Sequence, residues 1–163
     1  MSAELHKAIR AAIKAGDIDF ITSTFEENPS VVTMNTPFGS WLHVAASFGK
    51  LEIVQSLVER FRMDINSKGG TSNSSPLDRA CADGQYEVAK YLLDKGAEID
   101  ISAPERNPLF GAILGGNVAI AKLLLDRGID ASIRYSGKSM HDMSAIDFAK
   151  ERGADEFVSL LGE

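Results

Sequence analysis

Cysteine is nearly absent from this sequence: Cys81 stands alone. One thiol excludes an intramolecular disulfide framework and fits a reducing compartment. A basic excess is absent too. Seventeen Lys and Arg face 23 Asp and Glu, for a net charge of −6 and a pI near 5.1. That balance argues against a nucleic-acid or anionic-membrane partner, either of which calls for a basic face. Long apolar runs are missing as well. No stretch approaches the roughly twenty apolar residues of a spanning helix, and "MSAELHKAIRAAIKAGD" at the N-terminus lacks the continuous apolar core of a secretory signal. The cytoplasm is the expected location.

What remains is ordinary globular composition, 44% apolar and 25% charged, which excludes wholesale disorder. With 163 residues the chain can bury a real core, as one domain or one continuous repeat array.

Internal repetition is the strongest signal present. The apolar residues Ile9, Leu42, Leu77, Leu109 and Ile146 are spaced by 33, 35, 32 and 37. Three positions after each stands an alanine: Ala12, Ala45, Ala80, Ala112 and Ala149. Seven positions after each stands a glycine: Gly16, Gly49, Gly84, Gly116 and Gly153. At average glycine usage, five matches of five would arise by chance on the order of once in a million.

Each copy can be read physically. Ser75-Pro76-Leu77-Asp78 places a capping serine, proline at the first helical position and an aspartate three after the cap. Ser144-Ala145-Ile146-Asp147 repeats this without the proline, and Asn107-Pro108 repeats it with asparagine as cap. The short helix that follows ends at the shared glycine, which supplies left-handed backbone. A second helix carries apolar pairs, as in Ile53/Val54 with Leu57/Val58 and Val88/Ala89 with Leu92/Leu93, a broad helical stripe. Each unit is thus two antiparallel helices of about eight to ten residues, too short to stand alone in water. Stacking hides the stripe, the alanine permits close approach, and polar Gly/Pro/Asn connectors form turns or fingers.

"SWLHVAASFGKLEIVQSLVE", "SPLDRACADGQYEVAKYLLDKGAEID" and "NPLFGAILGGNVAIAKLLLDRGID" resemble ankyrin repeats, whose pattern is a Thr-Pro-Leu-His-x-Ala start and a Gly-Ala-Asp-Val-Asn end. The resemblance covers nearly the whole chain. It implies an all-α ankyrin-repeat solenoid of about five helix-turn-helix units with finger loops, near 4–34, 35–70, 71–102, 103–136 and 137–163, the first and last serving as caps. Three departures stand out. Only His43 keeps the family histidine, which Arg10, Asp78, Phe110 and Asp147 replace elsewhere. Trp41 takes the place of the family proline. Phe61 stands where a terminal glycine belongs, with one extra residue, so that turn is expected to be reshaped.

The resemblance further implies a protein-binding scaffold that uses the finger tips and the exposed side of each first helix as a concave face. Sites just before the shared glycines are Ser47 and Phe48, Ala82 and Asp83, Leu114 and Gly115, and Glu151 and Arg152. Phe48 is the first anchor candidate, because aromatic residues dominate interface hot spots. Two placements stay open for it, facing a partner or folding under the neighbouring finger onto Trp41. "MNTPFGSW" offers Met34, Thr36, Phe38 and Trp41; local packing is the stronger expectation for Trp41. "SKGGTSNSS" reads as flexible linkage, with ordering induced by a partner as the lesser alternative. Glu105 and Arg106 lie in the third finger. "SIRYSGKSMHDMS" gathers Arg134, Tyr135, Lys138, His141 and Asp142 in one lengthened loop, and the binding reading is preferred there because loops on a rigid scaffold carry function.

Catalytic and metal readings find little support. "SGKS" contains the Gly-Lys-Ser of a phosphate loop, but Ser132 stands where the first glycine is required. His6, His43 and His141 lie in separate units. Cys81 falls on the packed face as a small core thiol. His43 is expected to bond the turn backbone. The expected function is therefore non-catalytic, without cofactor or metal: a monomer when free that binds one protein partner, which is basic or an enzyme such as a toxin. Asp83, Glu105 and Asp142 would steer a basic partner. Small bacterial ankyrin proteins include immunity proteins that occlude a toxin or effector enzyme, and an array with no attached domain is expected to be such an inhibitor. A regulatory adaptor is the alternative; an enzyme or small-molecule binder ranks last, since no pocket with perturbed titratable groups is foreshadowed.

Overall fold

A computed structural model describes residues 3–137 and 140–162. Among the described residues ten α-helices form five antiparallel pairs. These are α1 (Ala3–Ala15) with α2 (Ile18–Glu27), α3 (Trp41–Ser47) with α4 (Leu51–Glu59), and α5 (Pro76–Ala82) with α6 (Tyr86–Asp94). α7 (Pro108–Leu114) with α8 (Val118–Asp126) and α9 (Ala145–Glu151) with α10 (Asp155–Leu161) complete the set. First helices stack on first helices and second on second, giving two layers around one continuous core.

The caps do what their residue types dictate. Asp78 N–H donates to Ser75 Oγ at 3.2 Å while Ser75 N–H donates to Asp78 Oδ2 at 2.7 Å. Ser144 and Asp147 repeat the exchange at 3.4 and 3.2 Å. Each exchange satisfies two donors that a helix start would otherwise orphan. The five shared glycines end their helices with φ between +64° and +82°. Where Phe61 replaces the terminal glycine, Arg62 adopts φ +54° instead, so the extra residue supplies the left-handed step.

All five shared alanines are buried, which lets consecutive first helices close on each other. Gly115 in that layer approaches more tightly still: a Cβ there would stand 2.5 Å from the Ala82 carbonyl oxygen. This position stays exposed, as expected, while its backbone closes on the end of α5.

Three of the fingers are built turns. Thr36 and Gly39 form an antiparallel bridge in the first, Gly69 and Ser74 in the second. The second replaces the flexible linkage expected for "SKGGTSNSS". In the lengthened fourth finger β1 (Tyr135–Gly137) pairs antiparallel with β2 (Met140–Met143). The third carries a 3₁₀ turn at Pro104–Arg106. Lys138, and with it the Gly-Lys-Ser match, lies outside the described residues.

Candidate protein-binding surface

The surface is framed by the exposed side of α1, α3, α5 and α7 and by the first three fingers. Its shape starts from His43. Ser40 N–H donates to His43 Nδ1 at 3.1 Å, so Nδ1 carries no proton and Nε2–H must donate to the Ser74 carbonyl at 2.9 Å. The ring thereby ties the start of α3 to the second finger. Burial holds its pKa below the usual histidine value, and the nearby Arg79 charge adds to this, so the ring is neutral at pH 7.

Around this post the predicted residues separate. Trp41 takes the core placement and not the partner contact: it is 1% exposed, and Nε1–H donates to the Val31 carbonyl at 3.0 Å. A buried indole needs that acceptor, which fixes the ring inward. Phe38, by contrast, is 51% exposed at the tip of the first finger. Thr36 builds that tip, since its Oγ donates to the Gly39 carbonyl at 2.8 Å and accepts Phe38 N–H at 3.0 Å. Met34 is half-buried against the core. Phe48 is half-buried too, packed against the core with the Arg10 guanidinium 5.5 Å from its ring centroid. The same guanidinium stands 4.8 Å from the Phe38 centroid, so Arg10 bridges both rings.

Further along the groove, Ser47 Oγ donates to the exposed Asp83 at 2.5 Å, joining neighbouring units. Glu105 is exposed. Arg106 is taken up locally by Ser102 Oγ at 2.9 Å and Asp100 at 3.3 Å. Lys68 also pairs with Asp100, at 2.8 Å, and that hydrogen bond leads the causes holding this carboxyl well below the carboxylate range. In the fourth finger Tyr135 is half-buried and braces the neighbouring unit. Its hydroxyl donates to the Ile101 carbonyl at 2.7 Å and accepts from Asn107 at 3.0 Å, while its ring meets Phe110 edge-on at 5.3 Å. Arg134 pairs with Asp142 at 3.0 Å and Asp147 at 2.9 Å. Asp142 and His141 remain exposed.

Two residues of the groove carry little signal in the sequence: Arg10 shows only as a replacement for the family histidine, and Arg79 fits no pattern. Cys81 is fully buried and its pKa is pushed up by that burial, so the thiol stays protonated. Among the described residues no cluster of three or more His, Cys, Asp or Glu could hold a metal ion, and no helix is long and apolar enough to cross a membrane.

Residues 5–103 match the family model described as ankyrin repeats (3 copies). The chain belongs to the ankyrin-repeat family. Similar proteins include ankyrin repeat and SAM domain-containing protein 6 of Rattus norvegicus, 32% identical over 93 residues, which are 56% of this chain and 10% of that protein. Putative E3 ubiquitin-protein ligase XBAT31 of Arabidopsis thaliana is 35% identical over 94 residues, 56% of this chain and 20% of the relative. Protein phosphatase 1 regulatory subunit 27 of Mus musculus is 33% identical over 89 residues, 54% and 56% of the two chains. The ankyrin-repeat chain thus spans about half of one of these relatives and a fifth or less of the others. Ankyrin repeats make it a protein–protein interaction module.

Proposed function

We propose that this ankyrin-repeat protein is a non-catalytic cytoplasmic inhibitor, of the immunity type, that occludes one protein partner such as a toxin or effector enzyme. The observation that carries the binding surface is the placement of exposed apolar side chains. Phe38 at 51% and Leu114 at 57% stand on the finger and first-helix side, where a rigid scaffold leaves them unburied. Large apolar side chains held in that way are the raw material of interface hot spots. A preformed groove loses little conformational entropy on binding, which suits tight, blocking contact. The name of the phosphatase regulatory subunit is in keeping with action on an enzyme. A regulatory adaptor shares the same surface and differs only in what the bound partner then does.

The test is capture from lysate of the source cell with wild-type bait beside a Phe38→Ala/Leu114→Ala variant shown by circular dichroism to be folded. Wild type is expected to retain one stoichiometric protein and the variant to lose most of it, at more than about 1 kcal/mol per truncated anchor. That protein's activity, assayed with and without the ankyrin chain, separates inhibitor from adaptor. Equal capture by the variant overturns the surface.

A further inference from the structure

The groove has a charge pattern that the overall acidity hides. One hollow is lined by Arg10, Phe38, His43, Ser47, Phe48 and Arg79. A second, chiefly apolar hollow adjoins it, with Ala3, Pro37 and the edge of Trp41 in its wall. The two share Arg10, Phe38 and Val44.

Arg10 and Arg79 make no ion pair among the described residues. Neither is loose. Arg10 is spread over two phenyl rings, at 4.8 and 5.5 Å. Arg79 Nε is buried without a hydrogen-bond partner, and the second finger presses on the head group: a Cβ at Gly70 would stand 2.8 Å from its Nη2. Among the described residues the neighbouring carboxylates form no ion pair with either guanidinium. His43 is uncharged at pH 7, and Asp83, one turn beyond Arg79, accepts from Ser47 Oγ at 2.5 Å. Asp78 directs Oδ2 into the Ser75 cap at 2.7 Å, with burial the leading cause raising its pKa to about 6. Lys68 is drawn to Asp100, Lys7 to Glu4, and Glu105 belongs with Arg79 to a separate hollow beside the third finger.

We propose that this double hollow receives an extended segment of the partner protein that carries an apolar side chain and, close by in sequence, an aspartate or glutamate. The apolar group fills the hollow between α1 and the first finger, against Phe38 and Val44. The carboxylate enters between Arg10 and Arg79, where two held guanidiniums offer planar, charge-assisted donors. A carboxylate is preferred to a phosphate because the Asp83 charge borders the slot and repels a dianion more than a monoanion. The inference rests on the protein-binding reading above and assigns its specificity.

The experiment is selection of a randomised twelve-residue phage-displayed peptide library on the full chain. Winners are then synthesised and their affinities measured against wild type, Arg79→Gln and Arg10→Glu; the last changes an exposed side chain and guards against loss of fold. Winners are expected to share an acidic residue at a fixed distance from Leu, Ile, Met or Phe. Binding should weaken at least tenfold with Arg10→Glu, with Arg79→Gln, and with Asp→Asn in the peptide. The proposal is overturned by winners lacking the acidic residue, by winners indifferent to both variants, or by a selection without consensus. Tenfold tighter binding of a peptide with phosphoserine replacing the acidic residue overturns the choice of carboxylate. If lysate capture succeeds while selection fails, the slot is wrong and the protein-binding reading survives; failure of both removes both.

Discussion

His43 is where a single protonation state carries the most structure. With Nδ1 committed to Ser40 N–H, only the neutral tautomer can donate from Nε2 to Ser74, and a second proton on Nδ1 would oppose the Ser40 donor. His43→Ala leaves the buried Ser74 carbonyl without its donor and opens a gap beneath the second finger. It is expected to cost about 2 kcal/mol in urea unfolding at pH 7. The pH dependence has a definite sign. The native pKa lies below the ordinary 6.5, so the unfolded chain takes up the proton first. The stabilisation is therefore complete above pH 6.5 and is lost as pH falls through the depressed native value. Asp78 works the other way: its native pKa, raised to about 6, gives stability that is full below pH 3.8 and is lost as pH rises through 6. Comparing wild type with His43→Gln isolates the histidine, and the variant should lose less stability than wild type between pH 7 and pH 5. An equal or greater loss in the variant would mean that His43 is not held neutral.

At the scale of the element, the close stacking of first helices is set by residues too small to carry a hydrophobic pattern. Gly115 has an ordinary helical φ of −77°, so its requirement for glycine comes wholly from the Ala82 carbonyl in its path. Gly115→Ala should therefore destabilise by about 1–3 kcal/mol in thermal or urea unfolding despite the high helix propensity of alanine. Gly116→Ala next to it would be penalised for a different reason, its φ of +67°. The contrast shows what was legible. The period of the anchors, the serine and asparagine caps and the helix-ending glycines could be read because each is a local rule repeated in every copy. The packing of Trp41 could be expected but not its partner, because periodicity does not say which acceptor a finger brings to the indole, here the Val31 carbonyl ten residues away. The β1–β2 pairing in the fourth finger was likewise weakly marked, since the alternation of apolar and polar residues in "IRYS" is brief and "MHDM" has none. Arg10 acquires its meaning only when the first finger brings Phe38 over it.

For the whole molecule, the links between units decide how it unfolds. Across the second-helix layer runs a ladder of ion pairs one repeat apart: Arg60 with Glu26, Lys95 with Glu59 at 2.9 Å, and Arg127 with Asp94 at 2.5 Å. These side chains are mostly exposed and screened by solvent, so the ladder cannot hold the stack by itself. The contacts that can are buried: Leu77 and Leu109 in the middle of the first-helix layer, and Phe110 against Phe148 at 4.9 Å toward the last unit. In a linear array each unit touches only its neighbours, so the end pair α9–α10 has one supporting interface where α5–α6 has two. Equal damage should then have unequal reach. Leu109→Ala, fully buried at the centre, should cost about 2–5 kcal/mol and speed hydrogen exchange throughout α5 to α8. Phe157→Ala, buried in α10, should cost about 3–5 kcal/mol locally, yet accelerate exchange only in α9 and α10 while α3 to α6 keep their protection. If Phe157→Ala instead accelerates exchange uniformly along the chain, the five units unfold as one cooperative body and the nearest-neighbour account of this array fails.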